Sequence, residues 1–385
     1  MIEARTAVCR LCETPLPEKP VLRLANVPAR IQTFPDPQAL AADRGTDLEA
    51  FQCEGCGHVQ LASQPVIYSQ GVTSTTRYSS TMLAFRREQM RAFVAEHGLA
   101  KKSVLEVGCG DGHLLDILRD AGVRAVGVDA SEKALEIARQ HGHPVHLGYV
   151  RRGHRIAGGP FDAFVSNDVI EHVPDIKDFL QGVAHNLAPG GVGLVETPSL
   201  EKVLETRRFY DFMQDHLAYF TVDTLRLAFE LGGFEVVRIE RNRDGENLTA
   251  IVRRRAALDF APLRAHEREL VQNLGEFLRV QRAAGRRVAF WGASIQTLTL
   301  AALMELDVAY VIDSAPYKQG QLTQVSHLPI VAPERLKTDP VDVIVVNAPR
   351  YEDEILRQIR EKERFTGIVA SLVSGDIRVL GDGRA

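Results

Sequence analysis

Hydrophobic positions along this chain follow two periods, and one stretch keeps neither. From Lys102 to Pro198, short apolar runs alternate with helical ones: SVLEVG, HLLDILRDAG, RAVGVD, EKALEIARQHG, FDAFVSND, DIKDFLQGVAHNLAPGG and VGLVETP. Unbroken apolar runs bounded by glycine or a carboxylate read as buried strands. Runs with apolar residues at i, i+3 and i+4 read as helices packed on them. The alternation predicts an α/β fold with a doubly wound parallel sheet. A helical pattern over 83–97 precedes it, and FEVVRIERN and LTAIVRR (234–242 and 248–254) predict a closing antiparallel pair. A helical linker from about Leu263 to Ala284 leads into a second alternating unit, RRVAFWGAS, TLTLAALMEL, VAYVIDS, DVIVVNAP, EDEILRQIREK and TGIVASL, which predicts a Rossmann-like α/β domain. Residues 1–62 keep neither period and are rich in proline and turn residues. Three regions are therefore expected: 1–62, 63–255 and 256–385.

Composition narrows the classes. At 385 residues the chain is long for one domain. Its net charge of −4 does not favour nucleic acid as a partner, which a basic face would attract. The chain holds no apolar run long enough for a membrane span. MIEARTAVCRLC lacks a secretory apolar segment, so a cytoplasmic location is expected. In that compartment cysteines point to metal and away from disulfides.

The candidate chemistry starts at VLEVGCGDG (104–112), where a buried strand ends in Glu106, Gly108, Gly110 and Gly112 just before a helix. Such glycines let the backbone turn sharply and approach a ligand. Asp129 ends the next strand, where a carboxylate can accept both hydroxyls of a ribose. A dehydrogenase-type Rossmann loop is the alternative, but the spacing is E-x-G-x-G-x-G and not G-x-G-x-x-G. Cys109, inside the loop, reads as a small filler. Cys9-x-x-Cys12 and Cys53-x-x-Cys56 can place four thiolates on one Zn(II) and close its coordination sphere, which predicts a structural site. His58 could replace one ligand, and reduced unmetallated thiols are the bland alternative.

The glycine loop, Asp129, VSNDVIEHV and LAPGGVGLVETP together resemble class I methyltransferases, whose cofactor is S-adenosylmethionine. That resemblance implies that Glu106 and the glycines cradle the methionine end, Asp129 holds the ribose, and Asn167 lies along the cofactor. Over nearly its whole length the chain is similar to the zinc-containing nucleotide-deoxysugar C-3 methyltransferases. VAFWGAS, VIDSAPYKQGQ, HLPIVAPERL and VVNAPRYEDEI follow that family's C-terminal domain, and QDHLAYF (214–220) stands at its His-Glu-His-x-x-Tyr-Phe run. GENLTAIV (245–252) stands at its Gly-Gly-Ser-Leu stretch. The resemblance implies C-methylation beside a keto group of a small nucleotide-linked substrate. His216 would be the general base, Asp215 its neighbour, and His172 a second active-site histidine. An unperturbed histidine base would give a rate rising through a pKa of about 6–7. The chain departs from the family at Met213 and Ser74, where tyrosines are usual, and at Gln296, where the family has lysine. Thr323-Gln324-Val325 replaces Pro-Gly-Thr. Lys318 is a possible phosphate contact. O- or N-methylation of another small acceptor, a zinc-ribbon RNA methyltransferase and a catalytically silent binding protein are the competing expectations.

Overall fold

The computed structural model describes residues 7–29, 37–38, 40, 43–65, 78–348, 350–372 and 376–381. The chain forms two compact units, Met1–Ala257 and Leu258–Ala385.

In the first unit the elements run β1 (Leu22–Val27), β2 (Thr46–Gln52), β3 (Val59–Leu61), α1 (Ser80–Glu96), β4 (Ser103–Val107), α2 (His113–Asp120), β5 (Arg124–Asp129), α3 (Glu132–Gln140) and β6 (Val145–Leu147). They continue with β7 (Phe161–Asn167), α4 (Ile176–Asn186), β8 (Leu187–Pro198), α5 (Leu200–Thr206), β9 (Ala218–Tyr219), α6 (Val222–Leu231), β10 (Phe234–Asn242) and β11 (Asn247–Arg254). A seven-stranded sheet has the order β10-β11-β8-β7-β4-β5-β6, with β10 and β11 antiparallel as the alternation predicts. β4 pairs in parallel with β5 on one side and β7 on the other, so the order reverses at β4. In doubly wound sheets, ligands bind outside the carboxyl ends of strands at such a switch point.

Local chemistry sets the helices. The Ser79 hydroxyl caps α1 by accepting from Met82 N, the Asp175 carboxylate caps α4, and Thr221 with Thr224 forms a capping box at α6. α2 buries Leu114, Leu115, Ile117 and Leu118 and leaves Asp116 and Arg119 outside. That stripe matches the helical period of its sequence.

The N-terminal region holds more regular structure than its composition suggests. β1, β2 and β3 form an antiparallel sheet whose fourth strand is β9, from the middle of the chain. Val59 pairs with Tyr219 and Gln60 with Ala218. The Cys-rich segment thus shares a sheet with β9, and a core of Phe51, Phe220 and Leu225 with the elements around the seven-stranded sheet.

The second unit contains α7 (Ala261–Ala283), β12 (Val288–Trp291), α8 (Ile295–Met304), β13 (Val311–Ile312), β14 (Ile330–Val331), β15 (Val343–Val346), α9 (Glu352–Arg357), β16 (Ile368–Ser371) and β17 (Arg378–Gly381). Its sheet order is β14-β13-β12-β15-β16-β17, parallel except at β17. No helix among the described residues is long and apolar enough to cross a membrane.

Candidate active site

Glu106 on β4, Asp129 at the end of β5 and Asn167 at the end of β7 all stand at the carboxyl edge of the large sheet, around the switch point. Gly108, Gly110 and Gly112 have φ of 79°, 51° and 87°. These are left-handed conformations that glycine takes without strain. A Cβ on Gly108 would fall 2.3 Å from Val169 Cγ2, whereas one on Gly110 would meet open space. The loop therefore presses against the turn after β7 on one side and offers bare backbone on the other.

Asp129 organises this loop. One carboxylate oxygen accepts from Gly110 N–H at 2.9 Å and the other from Ser131 N–H at 2.8 Å. Each oxygen keeps a second lone pair, enough for two ribose hydroxyls. Glu106 is buried, and its Oε2 has no partner. Burial, together with Asp129 and Asp111, pushes its carboxyl well above the ordinary range. Both side-chain polar atoms of Asn167 are buried and unpartnered as well. Orphaned polar atoms around a bare glycine loop fit the charged methionine end of S-adenosylmethionine, which brings donors and acceptors of its own. Cys109 packs on Leu115 and Leu135 as a filler.

The four-cysteine site fits zinc on geometry. Cys9 Sγ lies 3.6 Å from Cys56 Sγ, and Cys12 Sγ lies 3.5 Å from Cys53 Sγ. All four sulfurs are within 4.8 Å of one another. Tetrahedral zinc with Zn–S bonds of about 2.3 Å spaces its sulfurs about 3.8 Å apart. His58 is not part of that group; its ring stands 5.2 Å from Phe220, fully buried.

The histidines meet beside β9. The imidazoles of His172 and His216 lie edge to face with centroids 4.7 Å apart. The Asp215 backbone carbonyl, 2.8 Å from His172 Nδ1, orients that ring, while the Asp215 carboxylate Oδ1 is buried without a partner. The expected pH range shifts too, because burial and the neighbouring His172 push His216 down to about 3. A cavity of 280 Å³ lies alongside, with His216, Met213, Tyr219, Glu171, Arg208 and Arg243 in its wall. Met213 stands in this wall where the family tyrosine would be. The Tyr219 hydroxyl is engaged with the Met213 backbone, accepting from its N–H at 2.9 Å. Ser74 lies outside the described residues.

Two features escaped the sequence reading. Glu171 was visible in VIEHV, but nothing local marks it as buried; its Oε2 accepts from Thr197 and burial pushes its carboxyl up to about 7. Asp168, whose side chain reaches solvent, is also raised to about 7 by desolvation and by the nearby Glu171 and Glu196. The second feature is Arg86 on α1, which pairs with Glu196 on β8 at 2.5 Å, both fully buried. Only their separation of 110 positions in the chain hid the pair.

Switch-point geometry, glycine loop and paired acidic strand ends define a class I S-adenosylmethionine-dependent methyltransferase. Residues 82–239 match the methyltransferase domain family, and residues 243–372 match the C-methyltransferase C-terminal domain family. The chain is an S-adenosylmethionine-dependent methyltransferase in which these two domains follow one another, and its cofactors are S-adenosylmethionine and zinc. C-methyltransferase NovU of Streptomyces niveus is 28% identical over 289 residues, covering 67% of this chain and 69% of its own. The ubiquinone biosynthesis O-methyltransferase of Sinorhizobium medicae is 35% identical over 135 residues, 31% of this chain and 53% of its own; the chain thus spans about half of that relative. A solved S-adenosylmethionine dependent methyltransferase from Mesorhizobium loti aligns with 45% of this chain and 100% of its own at 20% identity, with a TM-score of 0.37.

Proposed function

We propose that the protein transfers a methyl group from S-adenosylmethionine to a carbon beside the keto group of a nucleotide-linked sugar. The observation that carries this reading is the C-methyltransferase C-terminal domain following the methyltransferase domain, with NovU similar across most of the chain. The cavity wall supports it. A carbon beside a ketone needs a proton acceptor and stabilisation of the enolate oxygen before it can attack a sulfonium methyl. His216 is the group assigned to the reacting centre. Its low pKa keeps it unprotonated, but it also makes the imidazole a weak acceptor, so the carbon must be acidified by a further group. Arg243 faces the same cavity with neutral Asn247 as a hydrogen-bond partner at 3.2 Å, which suits an anionic substrate. In the cofactor site, Glu106 and the glycine loop take the methionine end, Asp129 takes the ribose, and Asn167 lies along the cofactor.

The test uses a 4-keto nucleotide sugar in D2O, with S-adenosylhomocysteine replacing the methyl donor. Deuterium should enter the carbon beside the carbonyl, because enolisation does not need the methyl. The exchange should fall about 10²–10⁴-fold in His216→Ala. Methyl transfer to oxygen, with no exchange at carbon, would replace this reading.

A further inference from the structure

The turn between β10 and β11 is strained where it meets the cavity. Asn242 pairs with Asn247 across it, and between them Arg243, Asp244 and Gly245 have φ of 50°, 58° and 87°. Glycine enters this left-handed region freely, whereas an arginine stays there only when its surroundings hold it. Those surroundings are explicit. Lys202 Nζ donates to the Asp244 carbonyl at 2.7 Å, and Ser199 N–H donates to the Glu246 carbonyl at 2.9 Å. Both terminal nitrogens of Arg208 grip the Glu246 carboxylate, at 3.0 and 2.5 Å. Glycine or asparagine would suit such a hairpin turn better. The turn gains nothing from an arginine here, but the cavity gains a cation in its wall.

We infer that Arg243 binds the diphosphate of the acceptor at the cavity mouth, and so selects the nucleotide-linked sugar over the free one. This rests on the keto-sugar reading of the same cavity, and it leaves His216 as the proton acceptor.

Charge and size carry the inference. Of the two arginines in the wall, Arg208 is committed: Glu246 holds its terminal nitrogens, and its Nε lies 3.0 Å from Asp211. That pairing also neutralises Asp211 and Glu246, which would otherwise repel an anion. Arg243 has the neutral Asn247 as its hydrogen-bond partner and makes no ion pair among the described residues. Its planar fork is therefore available, and a guanidinium matches phosphate oxygens two at a time. Arg243 is exposed while His216 is half-buried, which puts the guanidinium at the mouth and the imidazole further in. At 280 Å³ the cavity is below the usual range of about 300–1,000 Å³ for a pocket that encloses a whole ligand. It houses the sugar ring and leaves the nucleoside outside. The diphosphate that joins them then crosses the mouth, where Arg243 stands.

The test uses the full chain loaded with zinc and S-adenosylhomocysteine. Ionic strength is fixed, because salt screens an exposed charge. Inorganic pyrophosphate is titrated calorimetrically. Arg243→Gly should weaken its binding about ten- to hundred-fold, the range for hydrogen bonds to a charged group. Arg243→Lys should fall between, since it keeps the charge and loses the fork. Because glycine relaxes the turn, Arg243→Gly should melt no lower than the wild type. In the deuterium-exchange assay its KM for a 4-keto nucleotide sugar should rise by the same factor at an unchanged maximal rate. Wild-type pyrophosphate affinity in Arg243→Gly, or a melting temperature lowered by several degrees, overturns the assignment. Malonate binding as tightly as pyrophosphate overturns the preference for phosphate. Methylation at oxygen alongside Arg243-dependent pyrophosphate binding would remove the keto-sugar reading and leave the contact standing. Exchange at carbon with equal KM in wild type and Arg243→Gly would remove the contact and leave the reading.

Discussion

Asp129 shows what a single side chain carries in this molecule. Its carboxylate closes the glycine loop through Gly110 N–H and the next turn through Ser131 N–H, with a lone pair left on each oxygen. Asp129→Asn keeps one accepting oxygen for the backbone but removes the charge, and its amide nitrogen faces a donor. Hydrogen bonds to charged groups contribute roughly 1.5–3 kcal/mol, so calorimetry should find S-adenosylmethionine affinity reduced about ten- to hundred-fold. Unchanged affinity would remove the ribose assignment. Residues of this kind were legible in the sequence because a strand-end carboxylate after a glycine loop lies close to it in any doubly wound sheet. Glu171 was not legible, because its burial depends on Thr197, Leu217 and the turn before β9.

At the scale of elements, α1 is fastened to the sheet by charge as well as by Met90, Phe93 and Val94. Burial alone would raise Glu196, but the Arg86 guanidinium, Gln89 and Asn242 outweigh it and hold the carboxyl below its ordinary value. Arg86→Met leaves a fully buried carboxylate without its cation. Breaking a buried pair from one side costs about 3–5 kcal/mol, which urea unfolding at pH 7 should register. The sign with pH follows from the depressed folded value. The stabilisation is complete above the unfolded carboxylate pKa of about 4.3 and is lost as pH falls through the lower folded value. The gap between wild type and Arg86→Met should therefore narrow in acid; a constant gap would show that the lost side-chain packing dominates.

Across the whole first unit, the zinc module and the candidate site are mechanically joined. β9 completes the sheet of β1–β3, and Ala218 follows His216 by two positions. Arg10, in the first knuckle, donates to the carbonyls of Pro174 and Ser63, and Leu61 N–H donates to the Leu217 carbonyl. Structural zinc contributes to folding outright. Cys53→Ser should therefore lose the tightly held zinc in elemental analysis and lower the melting temperature. Because the strand beside His216 is part of that sheet, the histidine ring resonances of His172 and His216 should move as well. A variant with full zinc content, or one whose histidine signals match the wild type, would break the link between module and site.

The sequence by itself determined the elements and the two chemical grips. Apolar period, caps and glycine spacing act over a few residues, so the parallel sheet, the cofactor loop, Asp129 and the paired cysteines are written locally. The chain divides at 257–258, near the expected boundary at 255–256, while residues 1–62, expected as a region of their own, fall within the first unit. Tertiary structure alone decided which distant groups meet: β9 with the zinc sheet, Arg86 with Glu196, and Glu171 with two histidines 44 positions apart. It also decided their protonation, because desolvation depends on what covers a side chain. His216 reads as an ordinary histidine in the chain and becomes a neutral one, near a pKa of about 3, only when the fold buries it.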